Sequence, residues 1–429
     1  MNRTQCFLMV VFIGLSAPMG AFSQSAPAPT RTAAVSPLSL AKLVQEAMER
    51  NPEIQAARHA VEAKRARIPQ AGAWPDPTLS LSYAGNALPP FTVMRADPSS
   101  VRQLMAEQTI PYPGKTHLRT EIAAREADAE TLAYEAVGRR VAGEAKQAYF
   151  DLAYVDQGLA IFERRQELLE RIEQVTEIRY SVGKAAQQDI LRAQLEISRL
   201  AARRTLLDQQ RRTLEAQINS LRNVSIDSLL GKTTEVRPSA FAYTQDELQA
   251  AAQANYPVLK QRRTVVDQNR LSIDLARKDV RPDFTVGYSY MQRDGLPDMY
   301  GITLSTSLPL FRHRKQDMAI AEAAANLESA RQMEASELTL LRYQVKQDFL
   351  EVQASEQLLK LYSQGILKQS SLTFESSISS YETGGVDFLN VLSNFLAVID
   401  SELDQHEQVR NHEKALARLE EVTGLNLLQ

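Results

Sequence analysis

The sequence has almost no cysteine: Cys6 is the only one in 429 residues. It lies in the first 23 residues, so a mature chain cut after that stretch has none and cannot be held by disulfides. An excess of one charge is also missing. The 49 Lys and Arg residues stand against 52 Asp and Glu residues, which gives no electrostatic basis for binding nucleic acid. Glycine and proline are modest, at 17 and 18 residues, which excludes a collagen-like or wholly disordered chain. No apolar run reaches the ~20 residues that a membrane-spanning helix needs. What is present is 44% hydrophobic content, enough for a large ordered structure, and length alone suggests two ordinary domains.

The N-terminus reads as an export signal over residues 1–23. Arg3 gives a positive start, Phe7 to Leu15 is a short apolar run, and Ala21-Phe22-Ser23 fits a small-x-small cleavage site. Cys6 sits inside that signal, in the wrong context for a lipidated mature terminus. Residues 24–37, rich in Ala, Pro, Ser and Thr, read as a flexible leader.

The rest of the chain carries one pattern twice, about 200 residues apart. Ala145-Lys146-Gln147-Ala148-Tyr149 returns as Val345-Lys346-Gln347-Asp348-Phe349. Tyr180-Ser181-Val182-Gly183 returns as Tyr381-Glu382-Thr383-Gly384, and Asp189-Ile190-Leu191 as Asn390-Val391-Leu392. Pro75-Asp76 stands ahead of Leu79 to Tyr83 as Pro282-Asp283 stands ahead of Val286 to Tyr290. The boundaries that follow are a first repeat at 38–222, a connecting segment at 223–243 and a second repeat at 244–429.

Each repeat reads as helix, strand pair, very long helix, tight turn, helix. Helical spacing over Leu40–Ile68 meets a breaker cluster from Pro69 to Pro77. Leu79, Leu81 and Tyr83 then alternate with Thr78, Ser80 and Ser82; a loop with Asn86, Pro89, Pro90 and Pro98 precedes a second candidate strand, Val101 to Ile110, which alternates poorly. In the second repeat Phe284, Val286, Tyr288 and Tyr290 share one face. After the Asp294-Gly295 turn, Tyr300, Ile302, Leu304 and Leu308 do the same. This pattern fits a half-buried sheet in a soluble domain as well as a tilted membrane strand. Four strands cannot close a barrel and open edges are not tolerated in lipid, so the membrane reading requires several chains; three would supply twelve strands.

Between Lys115 and Arg179 there is no proline, and apolar residues recur at spacings of three and four: Val137, Val141, Ala145, Tyr149, Leu152, Val155, Leu159 and Phe162. The counterpart runs from Lys315 to Ser379. A helix of either length would extend roughly 95 Å, deeper than a globular core. Shorter helices are expected at Gln187–Leu221, Gln245–Asp279 and Val386–Val422, stacked end to end against the long ones with coiled-coil packing.

A signal, two strand hairpins, two long helices and a Tyr-x-x-Gly turn in each repeat resemble the TolC family of outer-membrane efflux channels. The resemblance covers Leu40 to the C-terminus. It is carried by Asn51-Pro52-Glu53-Ile54 and Asn255-Tyr256-Pro257-Val258, by the corners Ile110-Pro111-Tyr112-Pro113-Gly114-Lys115 and Leu308-Pro309-Leu310-Phe311, and by the two turns. It implies a mainly α fold with a small β part: a homotrimer with a twelve-stranded β-barrel in outer-membrane lipid and a long α-helical barrel in the periplasm. Residues 223–243 would join the C-terminal segment in a belt. The implied function is the exit duct of a tripartite pump, with a periplasmic adaptor (membrane fusion protein) and an inner-membrane transporter as partners, no cofactor and no chemistry of its own. The Pro111 to Lys115 corner is similar to members serving heavy-metal RND pumps of the CusC and CzcC kind. Drug efflux or type I protein secretion are the alternatives, and a pore-free periplasmic coiled-coil scaffold is the rival of another class.

No acid, base and nucleophile converge in the sequence, so an enzyme is the weakest reading, and no metal site is expected from the scattered histidines 59, 117, 313, 406 and 412. By the resemblance, Val182, Gly183, Thr383 and Gly384 dock the adaptor, although a tight turn alone would also require the glycines. Tyr381 matches a tyrosine that latches the entrance. The arginine expected two residues after Gly384 is replaced by Val386, and acidic constrictions of relatives fall at Asn390 and Ser393. Asp189 and Asp387 are then candidate acidic rings, or plain helix-start aspartates. Arg312, His313, Arg314 and Lys315 follow the second corner, where they oppose the helix dipole and meet either lipid phosphate or solvent.

Overall fold

The computed structural model describes residues 37–85, 100–293 and 295–428. The signal, most of the leader, the loop from Asn86 to Pro98 and Asp294 lie outside the described residues.

The first repeat opens with α1 (Leu40–Arg50) and α2 (Pro52–Gly72), where one helix was expected. The break is local: Pro52 has no N–H to continue α1, and the Asn51 side chain accepts from Glu53 N at 2.9 Å to start α2. Pro69 does not end α2. It lies on the exposed face, where water can take the carbonyl that proline leaves unpaired. Strands β1 (Thr78–Ala84) and β2 (Val101–Ile110) lead to α3 (Lys115–Ser181) and α4 (Gln187–Leu221). With 67 residues, α3 extends about 100 Å.

The second repeat follows the same order. Helices α5 (Gln245–Asn255) and α6 (Pro257–Lys278) are again split at a proline, Pro257. Thr244 caps α5 reciprocally with Glu247: Thr244 Oγ1 accepts from Glu247 N at 3.3 Å and Thr244 N donates to Glu247 Oε2 at 2.8 Å. Next come β3 (Phe284–Gln292), β4 (Met299–Thr306), α7 (Gln316–Leu361), a π turn at Tyr362–Ile366, α8 (Leu367–Thr383) and α9 (Phe388–Thr423). The expected helix from Lys315 to Ser379 is thus interrupted by the π turn, where Tyr362 Oη donates to Asp404 Oδ2 of α9 at 3.0 Å. Leu308 lies beyond β4, in the corner.

The four strands form one antiparallel sheet in the order β1-β2-β3-β4. Its register gathers Leu79, Leu81, Leu104, Ala106, Tyr288, Tyr290, Tyr300 and Ile302 on one face, with Ser80, Ser82, Glu107, Gly287, Ser289 and Gly301 on the other. The apolar face is open, with Ile302 83% and Leu79 72% exposed. The polar face is covered only at the central strands, where Ser289 is 3% exposed, and is open at Ser80 and Ser82 on the β1 edge. A sheet half-buried in a soluble domain would show the reverse. Outward apolar and inward polar side chains are what a barrel wall facing lipid needs. Weak alternation in β2 has a simple cause, since Gln103, Met105 and Glu107 occupy the polar face while Arg102 sits among its apolar positions.

Below the sheet, α3 packs against α2, α6, α4 and α9, and α7 against α6, α5 and α9. The connecting segment is tied to α3 by Asp156, which accepts from Thr233 N at 2.9 Å and Arg211 Nε at 2.8 Å. Tyr149 Oη shares a hydrogen with Thr234 Oγ1 at 2.8 Å, and Ser239 N donates to Glu413 Oε1 of α9 at 2.7 Å.

Near the end of α9, burial pushes the Glu421 carboxyl up from its ordinary 4.5 to about 7; the Glu144 charge adds to this, Arg140 opposes it, and Asp348 raises it further. A raised acid favours folding while protonated in both states. That contribution is full below about pH 4.5, declines as pH rises, and is lost above about pH 7. The decline is at most about 3 kcal/mol. Glu421→Gln is expected to flatten the urea stability of the detergent-solubilised protein between pH 5 and pH 8. Parallel pH profiles for the two proteins would refute this assignment.

Candidate functional site: the two helical tips

The turns α3–α4 and α8–α9 have the same backbone. Gly183 and Gly384 take φ of +71° and +82°, a region closed to most side chains. Lys184 N donates to Arg179 O at 2.8 Å, and Gly385 N to Ser380 O at 2.8 Å, five residues back in each case. These are the six-to-one bonds of a Schellman ending. Val182 is 62% exposed, and nothing lies within 4 Å of where a Cβ would stand on Gly183 or Gly384. The four residues expected to dock a partner are therefore at open turns, while the glycines are also required by the backbone.

The starts of α4 and α9 use complementary halves of one capping arrangement. Asp387 is the N-cap of α9, and its Oδ1 accepts from Asn390 N at 3.0 Å. In the first repeat Ala186 has no capping side chain, and Asp189, three residues into the helix end, accepts from Ala186 N at 3.4 Å through Oδ2. Both carboxylates thus stabilise their own helix starts, where the dipole favours negative charge. Among the described residues no hydrogen bond of Asp189, Asp387 or Asn390 crosses between the two turns.

The crossing contact is made by Arg179, which sequence reasoning missed. Its Nη1 donates to Tyr381 O at 2.5 Å and Glu382 O at 2.8 Å. The guanidinium carbon lies 4.4 Å from the centre of the Tyr381 ring. A cation at the last carbonyls of α8 is favoured by the helix dipole and by the ring face. Tyr381 is 6% exposed and meets Phe388 edge-on at 5.8 Å. Among the described residues its hydroxyl has no hydrogen-bond partner, so the ring and the carbonyl make the contact. The available signal was the mismatch at this place, Arg179 against Ser380 in the other repeat, together with the missing arginine at Val386. Behind the tips, Ile161, Phe162, Leu169, Leu200, Phe374 and Phe395 form a continuous buried cluster.

No three His, Cys, Asp or Glu side chains converge as a metal site among the described residues. His412 is buried with Nδ1 3.0 Å from Glu413 Oε1, and His406 lines a separate shallow groove with Glu235 and Val409.

Comparison with known proteins agrees with this architecture. No curated protein sequence matches the chain. Among solved structures, the outer-membrane channel OprN superposes with a TM-score of 0.79 at 16% identity, covering 90% of this chain and 89% of that one. The outer membrane protein VceC from Vibrio cholerae gives 0.76 at 15% identity, covering 90% and 96%. CusC, described through its folding and transmembrane channel formation, gives 0.71 at 16% identity, covering 94% and 95%. These likenesses show a TolC-like fold. The profile of the outer membrane efflux protein family matches residues 43–224 and 248–425, most of the chain, so the protein belongs to the outer membrane efflux protein family and is an outer-membrane efflux channel, not an enzyme.

Proposed function

We propose that three copies of this chain join their sheets into one twelve-stranded barrel in the outer membrane and their helices into a periplasmic duct. The observation that carries this is the sheet: a continuous face of exposed apolar side chains, a polar face covered at its centre around Ser289, and edges at β1 and β4 that are unpaired among the described residues. An adaptor docks at the open turns around Val182, Gly183, Thr383 and Gly384, and an inner-membrane transporter supplies the energy. The entrance gate is built from Tyr381, held by Arg179, with Asp189, Asp387 and Asn390 at the helix starts behind it. Grouped by threefold symmetry, the aspartates would attract cations.

Heavy-metal cations exported by an RND pump are the proposed cargo, supported by the resemblance of the Pro111-Tyr112-Pro113-Gly114-Lys115 corner. Identity does not choose between relatives, since OprN and CusC are both 16% identical to this chain. Trimeric mass in detergent with stepwise bilayer conductance is the expected result for the duct; a soluble monomer without conductance would refute it. Gene deletion should sensitise cells to copper, silver, zinc, cobalt or cadmium. Sensitivity to dyes and hydrophobic drugs alone would replace the metal reading with general drug efflux.

A further inference from the structure

Two lysines in equivalent places have opposite surroundings. Lys115 and Lys315 are 200 residues apart, the same offset that relates Lys146 to Lys346 and Tyr149 to Phe349. Lys115 is 4% exposed. Its Nζ lies 2.9 Å from Asp283 Oδ1 and 3.4 Å from Asp279 Oδ1, and donates to Arg281 O at 2.8 Å. Asp283 Oδ1 also accepts from Tyr112 N at 2.7 Å. This clamp fastens the first corner to the start of β3, at the end where α3 packs on α6 and β2 pairs with β3.

The matching halves in the other repeat are Lys315 and Asp76, and both are exposed. Asp76 follows Pro75 ahead of β1 as Asp283 follows Pro282 ahead of β3. Among the described residues neither Asp76 nor Lys315 has an ion-pair partner. Two neighbouring side chains, Arg312 and His313, both reach Asp317, at 3.2 and 2.9 Å. Asp76 leads into β1 and Lys315 follows β4, the opposite edges of the sheet, which lie about 14 Å apart across three strand spacings. Apolar neighbours show the same imbalance, with Leu118 8% exposed and its counterpart Met318 59%.

Resting on the barrel reading above, we propose that Asp76 of the partner subunit clamps Lys315 as Asp283 clamps Lys115. The α2 helix of that subunit then lies along α7 as α6 lies along α3. Complementary charge and continuity of the free β4 and β1 edges both select a second copy of this chain as the occupant. The arrangement makes the junction between chains a repeat of the junction within the chain, and Met318 becomes buried beside it.

The test uses the full-length protein in detergent with Cys6 replaced by serine. The pair Asp76→Cys and Lys315→Cys in one chain, treated with a short bis-maleimide, is expected to give covalent dimers and trimers on a denaturing gel. Either single substitution should not. Light scattering on the same samples separates the two levels of inference. A trimer whose cysteine pair stays unlinked overturns the clamp and leaves the duct reading intact; a monomer overturns both. As a second measurement, Asp76→Lys should weaken trimers about tenfold, and adding Lys315→Asp should restore them. Failure of that restoration would also overturn the clamp.

Discussion

Arg179→Ala is expected to raise the open probability of the reconstituted channel about 100-fold. In the structure one side chain joins the two turns. It makes two charge-assisted hydrogen bonds, to Tyr381 O at 2.5 Å and Glu382 O at 2.8 Å, and lies 4.4 Å from the Tyr381 ring centre. Bonds of this kind contribute about 1.5–3 kcal/mol each when sheltered, and a cation over an aromatic ring about 0.5–2 kcal/mol. Arg179 is only half-buried, so a total near 3 kcal/mol is the reasonable figure, and that corresponds to roughly two powers of ten in a two-state equilibrium. Arg179→Lys keeps the charge but not the fork, and should fall between. Tyr381→Phe removes a hydroxyl that has no hydrogen-bond partner among the described residues and should leave conductance near wild type, whereas Tyr381→Ala removes the ring and should resemble Arg179→Ala. Planar-bilayer recordings, with growth on large hydrophilic antibiotics as the cellular readout, decide the matter. Wild-type conductance for Arg179→Ala would sink the latch, and an open Tyr381→Phe channel would place the contact on the hydroxyl instead.

The residues that repeat were legible, and those that break the repeat were not. Helical spacing without proline placed α3 and α4 almost to the residue, because nothing in 115–181 interrupts the backbone ladder. The helix breaks at Asn51-Pro52 and Tyr256-Pro257 were visible as words, but the periodicity on either side masked them. The π turn at Tyr362–Ile366 had only Gly365 as a local signal; its contact with Asp404 lies on another helix. At the tips, glycine marked the turns correctly, since only φ near +71° and +82° closes them. Arg179 was missed because its partners lie about 200 residues away in the other repeat, and no pattern within a window contains both. The direction of the sheet needed the three-dimensional register. Alternation says that Ser289 and Ile302 lie on opposite faces, but only the fold shows that Ser289 is enclosed and Ile302 open.

Glu420→Ala is expected to destabilise the folded chain by about 3–5 kcal/mol, the usual cost of removing one partner from a buried charged network. Glu420 is 9% exposed near the end of α9. Gly424, at φ +69°, turns the chain back over it, and Gly424 N donates to Glu420 O at 2.8 Å. One carboxylate oxygen then accepts from Leu427 N at 2.7 Å and Leu428 N at 2.9 Å. The other oxygen pairs with Lys146 of α3. The reversed tail matters beyond itself, because Leu428 packs against both the cluster built on Tyr149 and Leu152 and the one built on Val345 and Val352. Alanine would leave two backbone N–H groups and a half-buried ammonium unpaired, and free the tail that bridges these clusters. Glu420→Gln retains an acceptor oxygen and should cost about 1–2 kcal/mol. Adding Lys146→Met to Glu420→Ala should recover part of the loss, since the orphaned charge is then gone. Denaturant unfolding at pH 7 measures all three. A Glu420→Ala protein within about 1 kcal/mol of wild type, or no recovery in the double variant, would show that the tail is held by its leucines rather than by the carboxylate.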